Sequence, residues 1–263
     1  MPDNDNGSEV IIGAGFCGYI DQLAISLTAK SKAAILWDAT TCGYYSFNNV
    51  LLPWQDDGPN GLNGTGFNLL STPGWFGKAA NFNRTGANLQ ANGFTALGTP
   101  RTAFTIALWV RAETQAGVFL TVANAYTCLL VLGLQAEDNR LVAFLPNAIS
   151  SGKGLNMIGE QMPNVWVHVA LTWSVENGAH LYSSGFSKGN GQAATSLNNA
   201  LHESRGLPMT VTLGHYNGSA NCHGIEGVNT STPFMGTLDE LLIFAREFDM
   251  KQVNDLVFSY PAR

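Results

Sequence analysis

The chain has 263 residues and a net charge of −6; 45% of them are hydrophobic, 10% aromatic and only 12% charged. That length and apolar content suffice for one sizeable core or two small ones. The acidic balance, with no Lys/Arg cluster, argues against a nucleic-acid partner. No apolar run approaches the roughly 18–20 residues that a membrane-spanning helix needs.

Residues 1–9 are polar, and Met1-Pro-Asp-Asn-Asp-Asn is not a signal peptide. Val10-Ile-Ile then leads into Gly13-Ala-Gly15-Phe-Cys-Gly18, a G-x-G-x-x-G pattern with Asp38 twenty residues beyond Gly18. Such a pattern marks a dinucleotide site when it joins a strand to a helix. Here the residues after Gly18 alternate like a strand, and helix-length periodic segments to build further βαβ units are almost lacking. Instead, Gly18-Tyr19-Ile20-Asp21-Gln22-Leu23-Ala24-Ile25 repeats Gly236-Thr-Leu-Asp-Glu-Leu-Leu-Ile243 at a shift of 218 residues. That is about one domain length. Coincidence between two short apolar strands is the plain alternative. Ala33-Ala-Ile-Leu-Trp37, a helical turn or strand, closes this segment and matches Gln252–Leu256. Residues 1–38 therefore read as an arm carrying a spare copy of a terminal strand, and 39–263 as one domain.

Within that domain, Gly43-Tyr-Tyr-Ser-Phe47 opens the first strand, and Asp56 to Gly64 forms a loop dense in oxygen donors. Strands follow at 90–97, 104–111, 118–123, 129–134, 141–145 and 165–173, the last expected to be the longest. Residues 179–182 pair back through Glu176-Asn177-Gly178. Met209–Gly214 precedes a Gly/Asn/Ser-rich loop at 217–232. The chain then reaches the apolar run 236–244, followed by Asp249 as the N-cap of a short helix. Many short strands with one terminal helix indicate an all-β, two-sheet sandwich.

Five segments carry a family resemblance: Phe104-Thr-Ile-Ala-Leu-Trp-Val, Trp166-Val-His-Val-Ala-Leu-Thr, Leu181-Tyr-Ser-Ser-Gly185, Val211-Thr-Leu-Gly214 and Gly236-Thr-Leu-Asp-Glu-Leu-Leu-Ile-Phe-Ala-Arg246. Their order resembles that of laminin G-like domains of the concanavalin A-like jelly roll. Tyr45-Ser-Phe47 and the Asp57–Thr65 loop resemble that family's opening. The resemblance covers roughly residues 42–258. It implies an antiparallel jelly roll, a secreted or surface location, tandem repetition, and roles in adhesion, glycan binding or matrix building. It also implies a structural Ca2+ held by Asp57, Asn60 and Asp239, whose hard oxygens suit that ion. An ion-free Asx turn is the alternative.

Asn6, Asn63, Asn83, Asn217 and Asn229 each head an N-x-S/T acceptor, which favours N-linked glycans and secretion. Cys17, Cys42, Cys128 and Cys222 allow three intrachain pairings, with buried free thiols as the alternative. His168 and His180 read as strand residues, satisfied in the core or at an edge. Trp109, Trp166 and Trp173 alternate like core positions, whereas Trp54 and Trp75 lie in loops and either plug the sandwich end or stack on sugar. No carboxylate triplet of glycanase spacing and no Gly-x-Ser-x-Gly is present, and Asp239 and Glu240, being adjacent, are expected on opposite faces. The chain is therefore expected not to be an enzyme.

Two functions remain. One is an extracellular structural glycoprotein that assembles head to tail into a fibre, or stands in tandem repeats of itself. In it the arm segment Gly18, Tyr19, Ile20, Asp21, Leu23 and Ile25 complements a neighbouring jelly roll. The other is a carbohydrate- or receptor-binding adhesion module.

Overall fold

A computed structural model describes residues 10–20, 23–113, 116–135, 137–146, 155–162, 164–184, 186–191, 206–215, 222, 228 and 232–258. Helix α1 (Lys32–Thr40) leads into β1 (Thr41–Tyr45), β2 (Thr65–Phe67), β3 (Leu70–Pro73), β4 (Lys78–Asn81) and β5 (Asn88–Phe94). The short α2 (Thr95–Gly98) precedes β6 (Phe104–Ala112), β7 (Gly117–Ala123), β8 (Cys128–Leu134), β9 (Arg140–Leu145) and β10 (Leu155–Gln161). Then come β11 (Val167–Ser174), β12 (Gly178–Ser183), β13 (Phe186–Gly191), β14 (Met209–Leu213), β15 (Gly236–Phe244) and α3 (Met250–Phe258).

The strands form two antiparallel sheets. One runs β13-β12-β11-β6-β15-β4-β3, with β1 also paired to β15; the other runs β10-β9-β8-β7-β14-β5-β2. The expected all-β jelly-roll sandwich with a short C-terminal helix is what the chain forms. Period-two alternation builds the core between the sheets. Ile106, Leu108 and Val110 of β6 and Val167, Val169, Leu171 and Trp173 of β11 face inward against Leu130, Leu132 and Val211 of the second sheet.

The strand expected at 90–97 ends at Phe94, where α2 begins, and four further expectations need adjustment. The longest strands are β6 and β15, nine residues each, because β11 begins only at Val167. Helix α1 runs through the boundary expected at residues 38–39. Of the three tryptophans assigned to the core, only Trp173 lies there. Inward Val110 and Val167 turn Trp109 and Trp166 to the outer face, where the Arg111 guanidinium sits 5.3 Å from the Trp166 ring centroid.

The fourth concerns β15. Its pairing with β6 slips between Asp239 and Leu242, and Glu240 takes φ of 50°, so one extra residue stands in the strand. The bulge lets Leu238 and Leu241, three apart, both enter the core. It also turns Asp239 and Glu240 to the same outer side rather than to opposite faces. At this point β15 changes neighbours: Thr237 and Leu238 pair with β4, whereas Leu241 to Phe244 pair with β1.

Candidate functional site

Residues 10–20 and 23–31 contain no strand, and the arm does not pack into its own sandwich. Val10, Ile11, Ile12, Phe16, Ile20, Leu23 and Ile25 are exposed, and Tyr19 and Leu27 are completely so. Among the described residues of the strand expected there, 18–20 and 23–25, none is in a strand. Asp21 lies outside the described residues. Gly13 and Gly15 take φ of 74° and 72° in a turn closed by the Phe16 N–H on the Gly13 carbonyl at 3.0 Å. No helix follows, so Gly13–Gly18 has nothing to place against a pyrophosphate.

The repeat nonetheless extends through the helix that follows. α1 and α3 are both nine residues long, and both their starts and their ends are offset by 218, as Gly18 and Gly236 are. Ser31 Oγ accepts the Ala34 N–H at 3.1 Å, and Asp249 Oδ1 accepts the Gln252 N–H at 2.8 Å, again 218 apart. Both helices reach the same apolar cluster on the outer face of the first sheet. Val253 of α3 is buried there, and Trp37 of α1 rests edge-on against Phe244 at 4.7 Å. The arm thus carries a copy of the whole strand–helix unit that ends the domain.

The three residues expected to hold calcium have other tasks. Asp57 Oδ2 accepts the hydroxyl and N–H of Ser46, and the Asn60 amide donates to the Thr41 and Cys42 carbonyls at 3.0 Å each. Asp239 accepts the N–H groups of Phe76 and Glu240, at 2.9 Å each. Burial, with Glu240 beside it, pushes its carboxyl up to about 8. The loop's organiser is Asp56, which accepts the N–H groups of Tyr44, Gly58 and Leu62. Among the described residues, no cluster of three or more His, Cys, Asp or Glu side chains is placed to hold a metal.

Of the cysteines, Cys128 and Cys222 form a disulfide, whereas Cys17 and Cys42 are free thiols. Cys17 therefore does not tie the arm to the domain. Cys42 lies buried on β1, where burial pushes its thiol up to about 11 and leaves it inert. Of the glycan acceptors, Asn63 is exposed; Asn83 is half-buried and donates its amide to Glu113 at 2.5 Å. Asn6, Asn217 and Asn229 lie outside the described residues.

One outer-face arrangement was missed in the sequence. His168 of β11, Trp109 of β6 and Asp239 of β15 stand directly opposite one another in a row across three strands. Trp75, in the β3–β4 turn, stacks on Trp109 with centroids 4.1 Å apart and planes at 18°, while His168 meets the same indole edge-on at 5.3 Å. Burial pushes the His168 imidazole down to about 3, so it is neutral, and its Nδ1 has no hydrogen-bond partner. Glu240 accepts the Tyr44 hydroxyl at 2.5 Å and the Asn48 amide at 3.5 Å. Both carboxylates are thus spent on closing the seam where β15 changes neighbours, and neither is presented to solvent as an acid or a nucleophile. Alternation in β6 and β11 carried the signal for this row; the bulge that brings Glu240 to the same side as Asp239 did not show.

Among curated proteins, none matches the chain. Several solved structures share its fold. Domain 4 of AbnA, a GH43 extracellular arabinanase from Geobacillus stearothermophilus solved with arabinotriose, is 21% identical, with a TM-score of 0.51 over 82% of this chain and 98% of that one. Botulinum neurotoxin type C, whose cell entry depends on interaction with two ganglioside molecules, is 16% identical with a TM-score of 0.60 over 87% of this chain. The botulinum neurotoxin serotype G binding domain is 15% identical with a TM-score of 0.57 over 83% of this chain. The chain spans about half the length of those neurotoxin chains, 53% and 50%. The family profile described as Laminin G 3, concanavalin A-like lectin/glucanases superfamily, matches residues 83–254, more than half of the chain. With its sandwich, its terminal strand–helix unit and that match, the chain belongs to the laminin G branch of the concanavalin A-like lectin/glucanases superfamily.

Proposed function

We propose that this chain is a non-enzymatic extracellular structural glycoprotein whose arm docks on the sandwich of a neighbouring copy, linking copies head to tail into a fibre. The observation that carries this reading is the state of the arm. A stretch of exposed apolar side chains with Asp21 as its single charge repeats the sequence of a core strand, yet no core of its own chain receives it. Leaving each such side chain in water forgoes about 1.5–3 kcal/mol of burial. An arm on one surface and its seat on another make a heterologous contact, which propagates unless the rotation happens to close a ring. Tandem repeats within one polypeptide would use the same surfaces. N-linked glycans, with Asn63 the accessible described acceptor, belong to this reading.

The test compares the full chain with a variant carrying Ile20→Ser, Leu23→Ser and Ile25→Ser, by negative-stain microscopy and sedimentation. Filaments from the first and monomers from the second are expected. A monomeric full chain would overturn the reading.

A carbohydrate- or receptor-binding module is the second reading, favoured by one observation: Trp75 is held flat on Trp109 with half its surface open, a platform suited to a sugar ring. The arabinanase domain solved with arabinotriose and the ganglioside-dependent neurotoxin support it by fold analogy only. Binding of the monomer to a glycan array, lost in Trp75→Ala, would establish it.

A further inference from the structure

If the arm is a plug, the sandwich needs a socket, and the fold presents one candidate seat. Outside the arm and helix α1, two turns each carry exposed large apolar side chains at consecutive positions. They are Val50, Leu51 and Leu52, 81%, 89% and 60% exposed, and Trp75 and Phe76, 50% and 49% exposed. Asn48 ties these turns together: its Oδ1 accepts the Lys78 N–H at 2.7 Å and lies so close to Gly77 that a Cβ there would stand 2.0 Å from it. The same residue reaches Glu240 at the bulge of β15.

Both turns are held rigidly with their apolar side chains outward. Asn49 Oδ1 accepts the N–H groups of Leu51 and Leu52 at 3.0 and 3.1 Å. Trp75 is stacked on Trp109, and Asp239 holds the Phe76 N–H. A preorganised apolar ridge costs its own chain solubility and spares a ligand the entropy of ordering it.

The ridge and the arm also match in charge. Residues 47–54 and 73–77 carry none, and residues 10–27 carry only Asp21. Neither partner therefore has to strip water from more than one ion. Extended at about 3.3 Å per residue, the segment 10–31 reaches roughly 70 Å from α1, enough to bridge to another copy.

We propose that the ridge formed by Val50–Leu52 and Trp75–Phe76 is the seat on which the arm of a second copy docks, with Ile20, Leu23 and Ile25 against it. The spacing of these three is that of Leu238, Leu241 and Ile243, which share one face only because β15 is bulged. This rests on the assembly reading above and names the surface that reading requires.

The test uses the full chain in a Cys17→Ser background. Ile20→Cys and Leu51→Cys in one chain should give, on mild oxidation, a ladder of disulfide-linked oligomers. Mixing the two single variants should give only the heterodimer. Leu51→Asp with Leu52→Asp should raise the concentration needed for filaments about tenfold or more with the thermal midpoint retained. A cross-link closing within one chain, a quantitative Leu51→Cys homodimer, or undiminished assembly of the Asp variant with no ladder would each overturn the seat. A collapsed thermal midpoint in the Asp variant leaves the ladder to decide. The wider assembly reading falls separately, if the parent chain forms no filaments at all.

Discussion

Ser31 and Asp249 do the same work 218 residues apart, each accepting the N–H of the third residue on to start a nine-residue helix. What differs is what the two helices bury. α3 sinks Val253 completely into the outer-face cluster, while α1 has no buried residue and touches it only through Trp37.

The same substitution should therefore have different consequences at the two caps. Removing a capping side chain weakens a helix by about 1 kcal/mol. Asp249→Ala should lower the thermal midpoint of the domain by about 2–4 °C, since α3 unfolds with the sandwich. Ser31→Ala should leave the midpoint unchanged and reduce helical signal only. Circular dichroism melts of both variants decide it, and equal shifts would mean that α1 is an integral part of the domain.

The row His168–Trp109–Asp239 predicts an unusual pH profile. In the unfolded chain Asp239 titrates near 3.8, but burial first, and then Glu240 beside it, push it up to about 8 in the fold. Between those values the folded state holds a proton that the unfolded state lacks, so stability falls as pH rises through about 4 to 8, by up to about 1.4 kcal/mol per pH unit. His168 works the other way, because burial lowers it from 6.5 to about 3 and stability is lost as pH falls through that window. The two oppose each other below about 6.5, leaving Asp239 alone above it. Denaturant midpoints should be nearly flat from pH 4.5 to 6.5 and decline from 6.5 to 8. Asp239→Asn, less stable throughout because one acceptor is lost, should abolish the decline. An unchanged slope would show that the carboxyl is ionised in the fold.

Much of this fold was legible because strand alternation is a strong signal. Phe104–Arg111, Val165–Trp173 and Gly236–Phe244 each announced a buried strand, and each is one. What stayed hidden depends on contacts the local pattern does not contain. β2 and β4 are three- and four-residue strands that pair with longer neighbours, β5 and β15, and the four-residue β3 pairs in turn with β4. The bulge at Glu240 breaks the period-two rule, so two adjacent carboxylates that alternation separates end on one side. Disulfide partners were open for a like reason: Cys128 and Cys222 are joined across 94 residues, and spacing says nothing about that.

Cys222 of that disulfide and Val228 pack in one cluster with Cys128, Val131 and Phe144 of the second sheet. Closing a loop of that length stabilises by up to about 4–5 kcal/mol in the chain-entropy account. Cys222→Ser should therefore lower the denaturant midpoint substantially, and reduction of the parent chain should do the same. Cys17→Ser should change nothing, since that thiol is exposed and unpaired in the single chain. Equal effects of the two substitutions would show that Cys17 is part of the folded unit after all.

Proteolysis offers the most direct view of the arm. Between Val10 and Leu27 the arm has no Lys or Arg, but it offers Phe16, Tyr19 and Leu23, all exposed and outside regular structure. Chymotrypsin at low dose should cut there first in the monomer, at a rate set by local rather than global opening, and leave the sandwich intact. Trypsin should instead reach the arm only at Lys30 or Lys32. Once copies associate, the same chymotryptic sites should be protected, while Tyr126, exposed on the β7–β8 hairpin turn, keeps its susceptibility. Protection confined to the arm and appearing only above the assembly concentration ties those side chains to the contact between copies. Protection in the dilute monomer would place the arm on its own chain, and then the exposed apolar stretch serves folding rather than assembly.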